Sequence, residues 1–480
     1  MNRSRLVARL GSTLGARLVM AAVNFGLFWA LSHRFDMSSL GTYSLLMNLF
    51  FMTLGLPLLG LSVPLERRAA AEPETLASET SNMLVIALPM GALLALGLGL
   101  YGQWGHEPAV HLPFWLLAAA VWVSALVLVA ESVLMGREQM AFIARAQCIE
   151  AVLRTVFALG VVMAGGGLTG VMSVFLAMRI TITVAYFRNR RMPRPSWALV
   201  SRAVFRRNLA ELPVFFGIAT LAGIVSRLDL LVLERLEGKS QVAIYTVAAR
   251  LYEASLMLPT AVALVLLPAL ARLFASDERR FSFSLVVMLQ GVLWIGMPVV
   301  LGVSAVAEPL ITLLYPDAYL PAAAILRWLM LAALLTAVDQ VMSSAMLASQ
   351  SQFADLHSML VSMGALCLGF VVFIPLYGPL GVAIAVAAGL AARVTWRMRW
   401  AFQRLAPQGL GAELGKAIAS GLAGVTGLVS GLAHGPWVAL LLAWVALAIG
   451  AGLSGHLSRQ PMHDFQRWRE RWATGGLDGQ

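Results

Sequence analysis

The residues of this chain that could do chemistry are charged side chains placed inside long apolar stretches. An ionised group at membrane depth costs about 2.5–3.5 kcal/mol on insertion scales, so such side chains are expected to face protein or a watery cavity rather than lipid. Arginines outnumber acids among them, and a guanidinium matches the oxygens of phosphate groups geometrically. The pattern therefore favours a cationic cavity for an anionic substrate such as a phosphate or diphosphate.

Three arginines are the strongest candidates for substrate binding in this cavity: Arg17, Arg227 and Arg250. Arg154 and Arg179 are further candidates for its lining. Each of these arginines could instead belong to a structural ion pair.

Asp229, Glu253 and Asp339 are candidates for carrying a coupling proton or cation. The competing interpretation, that an acid holds an arginine in place, is the favoured one for Asp229 and Asp339. Two acid–arginine pairs are three or four residues apart and so share a helix face: Glu150 with Arg154, and Arg250 with Glu253.

No catalytic motif accompanies these charges. The sequence GLGAELGKA at 409–417 lacks the glycine spacing and the final Ser or Thr of a phosphate-binding loop. The seven histidines are scattered, and Cys148 and Cys367 lie in apolar stretches as packing residues. We therefore expect no enzyme activity, no metal and no cofactor, with H⁺ or Na⁺ as the coupling ion of any transport.

Composition identifies the chain as a polytopic membrane protein. Of its 480 residues 59% are hydrophobic and only 12% charged, about half the charged share of a soluble domain. The net charge of +11 comes from residues that flank apolar stretches, which argues against nucleic-acid binding. The basic start, MNRSRLVARL, is like that of a signal peptide, but the apolar stretch 10–32 is long enough to be a retained membrane helix.

The apolar stretches predict fourteen membrane-spanning helices. They are 10–32, 38–64, 82–102, 113–134, 143–164, 167–187, 211–233, 242–270, 282–306, 323–347, 356–375, 377–396, 414–434 and 436–457. With both termini cytoplasmic, the outside loops hold only Arg34, Arg235 and Lys239 of the loop cations, as the positive-inside rule requires.

An internal repeat divides the chain into halves. LGTYSLLMNLFFMTLGLP at 40–57 matches VAIYTVAARLYEASLMLP at 242–259, and two shorter matches follow in order: SVLMGREQMAF at 132–142 with SAMLASQSQFA at 344–354, and GLTGV at 167–171 with GPLGV at 378–382. The predicted domains are a six-helix lobe 1–187, a basic cytoplasmic linker 188–210, a second six-helix lobe 211–400, two helices within 401–457 and a cytoplasmic tail 458–480. An even number of spans separates the copies, so a pseudo-twofold axis along the membrane normal and a binding cleft between the lobes are expected.

On these repeats and on AEPLITLLYPDAYLPAAAILR at 307–327, the chain resembles the multidrug/oligosaccharidyl-lipid/polysaccharide exporter superfamily, in its O-antigen-type (Wzx-like) flippase branch. The resemblance implies a polyprenyl-diphosphate-linked oligosaccharide as substrate, moved from the inner to the outer leaflet by alternating access. The same resemblance implies a location in the bacterial inner membrane. It also implies membrane lipids and other glycan-export proteins, such as a polymerase or a chain-length regulator, as partners.

The related lipid II flippases carry arginines in their first and eighth helices, where this chain has Arg17 and Arg250. Their second-helix arginine is missing here, where Asn48 and uncharged residues stand. That difference argues against lipid II as the substrate. Three further functions compete with the flippase interpretation: a cation-coupled multidrug antiporter of the same superfamily, a glycan polymerase, and a non-transporting scaffold.

Overall fold

A computed structural model describes residues 3–71, 74–210, 227–256, 270, 273–274, 278–349, 351–405 and 410–453. At 3–14, 16–18, 278–279, 352, 410 and 413 it describes the backbone only. The predicted tail 458–480 and parts of the predicted seventh and eighth spans lie outside these ranges.

The regular structure of the described ranges is helical. Most helices are joined by short turns, and a longer segment, 188–201, with one 3-10 turn at Trp197–Leu199, joins α7 to α8. The helices are α1 (Arg3–Ser32), α2 (Met37–Thr53), α3 (Ser62–Ala71), α4 (Leu76–Gly105), α5 (Pro108–Gly136), α6 (Met140–Met163), α7 (Gly167–Phe187), α8 (described over 202–210), α9 (Leu228–Glu237), α10 (Lys239–Ser255), α11 (Glu278–Ala305), α12 (Ala307–Leu314), α13 (Ala322–Ala348), α14 (Gln352–Tyr377), α15 (Pro379–Arg404), α16 (Leu410–Leu432) and α17 (Pro436–Leu453).

Ten helices in the described ranges are long and apolar enough to cross a membrane: α2 with the turn after it, α4, α5, α6, α7, α11, α13, α14, α15 and α17. Each coincides with one of the fourteen predicted spans. The predicted all-α, multi-pass membrane protein is thus confirmed. α1 and α16 lie at two further predicted spans.

The chain forms two compact units, Met1–Ala243 and Ile244–Gln480, called unit 1 and unit 2 below. The boundary between them falls inside α10, whereas the sequence predicts a division at the linker 188–210. The predicted domain boundaries stay a prediction.

The helix bounds follow the sequence repeat. α2 begins at residue 37 and α10 at residue 239, and both are 17 residues long. The two later matches of the repeat also coincide with helix ends, which there lie 212 residues apart. α5 ends at Gly136 and α13 at Ala348, while α7 begins at Gly167 and α15 at Pro379. Corresponding sequence in the two halves therefore starts and stops helices at corresponding positions.

Local sequence sets the ends of the helices that matter below. Asp36 caps α2, because its carboxylate accepts hydrogen bonds from the backbone N–H groups of Ser38 and Ser39 at 3.1 and 3.2 Å. The hydrogen bonds from Ser39 and Ser38 lower the pKa of Asp36. Between α14 and α15 the chain turns at Gly378, whose φ of +56° favours glycine, and Pro379 then opens α15.

Small residues let neighbouring helices approach closely in unit 2. A Cβ placed on Gly381 of α15 would overlap the backbone of Phe373 in α14. On α16, a Cβ at Gly431 would overlap Ala439 of α17 in the same way. Helices in lipid associate largely through such close contact, since lipid is as apolar as the side chains.

We predict that Gly381→Leu destabilises the protein by at least about 1–3 kcal/mol, the usual cost of overpacking. The measurement is thermal unfolding of the purified protein in detergent. Gly364→Leu on α14 is the matched control, because a Cβ there meets nothing within 4 Å. Equal melting temperatures for the two variants would contradict the prediction.

Candidate functional site

The membrane-embedded part of unit 1 contains two arginines that share one glutamate. Glu150 and Arg154 lie on α6, and Arg179 lies on α7. Glu150 Oε1 is 3.4 Å from Arg179 Nη2 and 3.6 Å from Arg154 Nη1. The three side chains are largely buried, Arg154 being the most exposed at 15%. The spacing-based pairing of Glu150 with Arg154 is therefore present, and Arg179 joins it from the next helix.

Phenyl rings and one amide hold the two guanidinium groups. Arg179 Cζ lies 5.7 Å from the ring centroid of Phe50 and 5.8 Å from that of Phe175. Arg154 Cζ lies 5.7 Å from the same Phe175 ring and its guanidinium donates a hydrogen bond to Asn24 Oδ1. An aromatic face attracts a cation without neutralising its charge. We call these six residues the arginine cluster: Asn24, Phe50, Glu150, Arg154, Phe175 and Arg179.

Four helices position the arginine cluster. α6 packs against both α1 and α7, and α2 supplies Phe50. On α6 and on α7 the cluster residues are four positions apart, so each helix presents them on one face. The cluster therefore depends on helix packing within unit 1 rather than on a loop.

Two hydrogen-bond donors of the cluster have no acceptor among the described atoms. Arg154 Nε and Arg179 Nε are buried and donate to no described acceptor. Glu150 Oε1 accepts no hydrogen bond from the described residues either, because its contacts with the arginines are looser than the usual 2.7–3.2 Å. A buried donor left unsatisfied costs about 1–3 kcal/mol. Oxygens of an anionic ligand would satisfy both donors.

Arg227 contacts α2 beside the cluster. Its Cζ lies 5.3 Å from the centroid of Phe51, the residue next to Phe50 of the cluster. Its carbonyl oxygen accepts a 2.8 Å hydrogen bond from Asn48 Nδ2. Asn48 thus fixes the backbone from which Arg227 extends.

Sequence reasoning missed Glu131, although it lies inside the predicted span 113–134. Glu131 is on α5, and its Oε1 accepts a 3.0 Å hydrogen bond from Gln147 Nε2 on α6. Gln147 lies one turn before Glu150, so Glu131 borders the arginine cluster. A single acid in an otherwise apolar 29-residue helix was the signal available in the sequence.

In unit 2, Arg250 pairs with its own-helix neighbour. Arg250 Nη1 is 2.9 Å from Glu253 Oε2, and the two side chains are 25% and 39% exposed. Tyr252, between them in sequence, shares a 3.3 Å hydrogen bond with Thr336. The spacing-based pairing is present, and roles in substrate binding or ion coupling stay predictions.

Asp339 belongs to a buried network that sequence reasoning saw only in part. Its Oδ1 is 2.8 Å from Nη1 of Arg397, a side chain with no exposed area. Arg397 also donates to Ser358 Oγ at 3.0 Å and pairs with Asp355. Arg393 Nε approaches Asp339 at 3.4 Å. The predicted twelfth span ended at residue 396, whereas α15 continues to Arg404, so Arg397 lies within this helix and is buried.

Two predicted site residues remain. Arg17 lies in α1, seven residues before Asn24, but its side chain is outside the described part of the structure. Asp229 lies in the first turn of α9, where a negative charge suits the helix dipole.

Polar contacts also fix connecting segments to unit 1. Glu79 of α4, 1% exposed, pairs with Arg68 at 3.3 Å and with Arg207 of α8. His106 Nε2 is 3.1 Å from Glu234 Oε1 of α9, and both side chains are nearly buried. Arg207 thus ties the linker 188–210 to the buried Glu79, and the His106–Glu234 contact ties α9 to α4.

The sequence model of the polysaccharide biosynthesis protein family matches residues 37–324, from the first residue of α2 into α13. That match covers more than half of the chain. The chain belongs to this family. No curated protein sequence matches it.

Solved structures show the same fold. The lipid II flippase MurJ in an inward-closed conformation is 12% identical over 92% of this chain and 99% of its own, with a TM-score of 0.65. An inward-facing multidrug-resistance MATE transporter of the MOP superfamily is 15% identical over 81% and 94%, with a TM-score of 0.63. A MOP superfamily transporter from Pyrococcus furiosus, noted for reversed polarity of its binding pocket, has a TM-score of 0.58 at 15% identity over 84% and 95%. The resemblance to the exporter superfamily is confirmed in fold, a fold that these proteins use for transport rather than catalysis.

We predict that Arg397→Met destabilises the protein by about 3–5 kcal/mol, because it leaves Asp339 and Asp355 buried without their cation. Arg399→Met, at an exposed arginine two residues later, is the control. Thermal unfolding in detergent measures both. A melting temperature for Arg397→Met equal to that of the control would contradict a structural role.

The His106–Glu234 pair predicts how stability depends on pH. Burial would raise the pKa of Glu234, but hydrogen bonding and charge from His106, with Arg235 and Lys239, hold that pKa below its ordinary value. A lowered pKa means that the stabilisation is present above the ordinary glutamate pKa and is lost as pH falls through the lowered one.

Glu234→Gln should therefore unfold at a lower temperature than wild type at pH 7, and the two should converge as the pH falls through the lowered pKa of Glu234. Glu237→Gln, at the exposed end of α9, should follow the wild-type curve. Parallel wild-type and Glu234→Gln curves over that whole pH range would count against the pair.

Proposed function

We propose that this protein is a flippase that moves a polyprenyl-diphosphate-linked oligosaccharide, an O-antigen or exopolysaccharide repeat unit, from the inner to the outer leaflet of the bacterial inner membrane. The observation that carries the proposal is the arginine cluster. It is a membrane-embedded group of two cations and one anion with two donors that no described atom satisfies, in a member of a polysaccharide biosynthesis family.

The free-energy barrier to moving this lipid between leaflets comes from its charged head group. Moving a charged diphosphate from water into hydrocarbon costs a large free energy, whereas the polyprenyl tail stays in lipid throughout. A cationic cavity that replaces the hydration of the phosphates lowers the barrier for the head group alone. Family membership supplies the glycan context, and the arginines supply the complement to the diphosphate.

In this proposal Glu150 is a placeholder, meaning a negative charge that compensates the arginines until the diphosphate binds. With no substrate bound, its carboxylate compensates Arg154 and Arg179 through contacts of 3.6 and 3.4 Å, too long for good hydrogen bonds. Phosphate oxygens can take the unsatisfied Nε donors without first breaking strong bonds. The phenyl faces of Phe50 and Phe175 keep the guanidinium groups in place during this exchange.

The substrate-binding roles of Arg17, Arg227 and Arg250 belong to the same proposal. Arg227 has support from its contact with α2 beside the cluster. A proton or Na⁺ gradient, or consumption of the product outside, supplies the driving force. Polymerase and chain-length proteins are the proposed consumers.

The test is glycan display by a deletion strain complemented with variants of the cluster. Arg179→Met should reduce surface glycan at least tenfold at normal membrane level of the protein, with lipid-linked precursor accumulating inside. Arg145→Met is the matched control, since Arg145 is an exposed arginine on α6 whose hydrogen bond goes to a carbonyl of its own helix. Full glycan display by Arg179→Met would refute the proposal.

Glu150→Gln separates a binding role from a merely structural one. As a placeholder, Glu150 can be neutralised without loss of the site, so the variant should retain protein level and bind a prenyl-diphosphate sugar more tightly. A structural ion pair predicts instead that Glu150→Gln and Arg179→Met lose protein to the same degree. Unchanged glycan with altered resistance to cationic drugs would favour a multidrug antiporter.

A further inference from the structure

Glu131 differs from the other acids of the described membrane-crossing helices. Those acids, Glu79, Glu150, Asp339 and Asp355, each have an arginine within ion-pair distance. Glu131 has none among the described residues, and its hydrogen-bond partner is the neutral amide of Gln147 at 3.0 Å. A carboxylate in such surroundings has a reason to take up a proton, because ionisation inside an apolar bundle is costly without a cation beside it.

An amide suits a group that changes its protonation. The NH₂ of Gln147 donates to the ionised carboxylate, and the carbonyl oxygen of the same amide can accept from the protonated acid after reorientation. An arginine at this place could only donate and would hold Glu131 in its charged form. The pair Glu131–Gln147 is therefore compatible with both states.

The charged and titratable groups around Glu131 come from two other helices, α3 and α7. Glu66 on α3 is a like charge, and Arg179 on α7 is the cation that acts on Glu131 electrostatically. The buried hydroxyl of Tyr186, also on α7, is a further titratable group that interacts electrostatically with Glu131. Arg179 is the same residue that contacts Glu150 in the arginine cluster.

We propose that Glu131 is a proton-binding residue that sets the affinity of the arginine cluster for the diphosphate head group through Arg179. Ionised, Glu131 offsets part of the positive charge of Arg179. Protonation removes that negative charge and leaves the cluster more cationic. Proton and anionic head group therefore bind with positive cooperativity, and by reciprocity head-group binding draws a proton onto Glu131.

This inference rests on the proposed function and adds to it the residue that binds the proton. It also moves the assignment away from Asp339, which two arginines compensate, and from Glu253, which pairs with Arg250. In this mechanism Glu131 does not touch the substrate.

The test is calorimetry of full-length protein in nanodiscs with a short-chain prenyl-diphosphate-N-acetylglucosamine. Both phosphates of this probe are esterified, so the probe itself does not titrate near neutral pH. Repeating the titration in buffers of different ionisation enthalpy gives the number of protons taken up. Wild type should take up protons on binding, with affinity rising up to tenfold for each pH unit of acidification.

Glu131→Gln should bind at every pH as wild type does in acid, without proton uptake, and Glu131→Asp should restore uptake. Glu107→Gln, at the exposed start of the same helix, should behave as wild type. Infrared difference spectra should show a protonated-carboxyl band on binding in wild type and not in Glu131→Gln.

The two proposals fail in different ways. A wild-type protein that does not bind the probe would sink the proposed substrate and this inference with it. Binding without proton uptake, uptake that persists in Glu131→Gln, or proton release on binding would overturn the role of Glu131 and leave the flippase proposal standing.

Discussion

An ionised side chain inside a lipid bilayer has to be compensated by protein groups, and the chain meets this requirement in two different ways. In unit 2, Arg397 has hydrogen-bond or ion-pair partners on α13 and α14 for each of its three nitrogens. That guanidinium is a structural joint between helices. In unit 1, Arg154 and Arg179 share one carboxylate and keep buried Nε donors without acceptors among the described atoms. Because their Nε donors lack acceptors among the described atoms, Arg154 and Arg179, unlike Arg397, have hydrogen-bond donors available to a ligand.

The repeat shows that packing and chemistry are separable in this fold. From the end of α5 to the start of α7, helix ends correspond to those between α13 and α15 at an offset of 212 residues, yet the charges of unit 1 are not copied. The positions equivalent to Glu131, Glu150, Arg154 and Arg179 hold Ser343, Ser362, Leu366 and Ala391. The converse holds for the Arg397 network, because the positions in unit 1 equivalent to Asp339, Asp355 and Arg397 hold Val127, Ile143 and Ala185. Each half therefore keeps the common helix pattern and carries its own set of buried charges.

Much of the fold and part of the site could be predicted from the sequence. Membrane-spanning helices follow from apolar length, and the pairs Glu150–Arg154 and Arg250–Glu253 follow from helical spacing, because both properties are local. The contacts of Arg179 with Glu150 and of Arg397 with Asp339 join different helices, and no spacing rule reaches that far. Arg397 was also hidden by a span that ended one residue early, and Glu131 was overlooked because it stands alone in an apolar helix.

The aromatic residues explain how two arginines can remain ready for an anion. A second carboxylate in the cluster would compensate them fully but would compete with the diphosphate for the same N–H donors. The faces of Phe50 and Phe175 attract the guanidinium groups through the ring quadrupole and use none of those donors. Glu150 therefore compensates part of the arginine charge when no ligand is bound, and the two phenyl rings hold the guanidinium groups in place. The protonation state of Glu131 then determines how much positive charge remains to attract the diphosphate. A flippase needs this kind of incomplete compensation, because a site that neutralised its own cations would offer a diphosphate no gain over water.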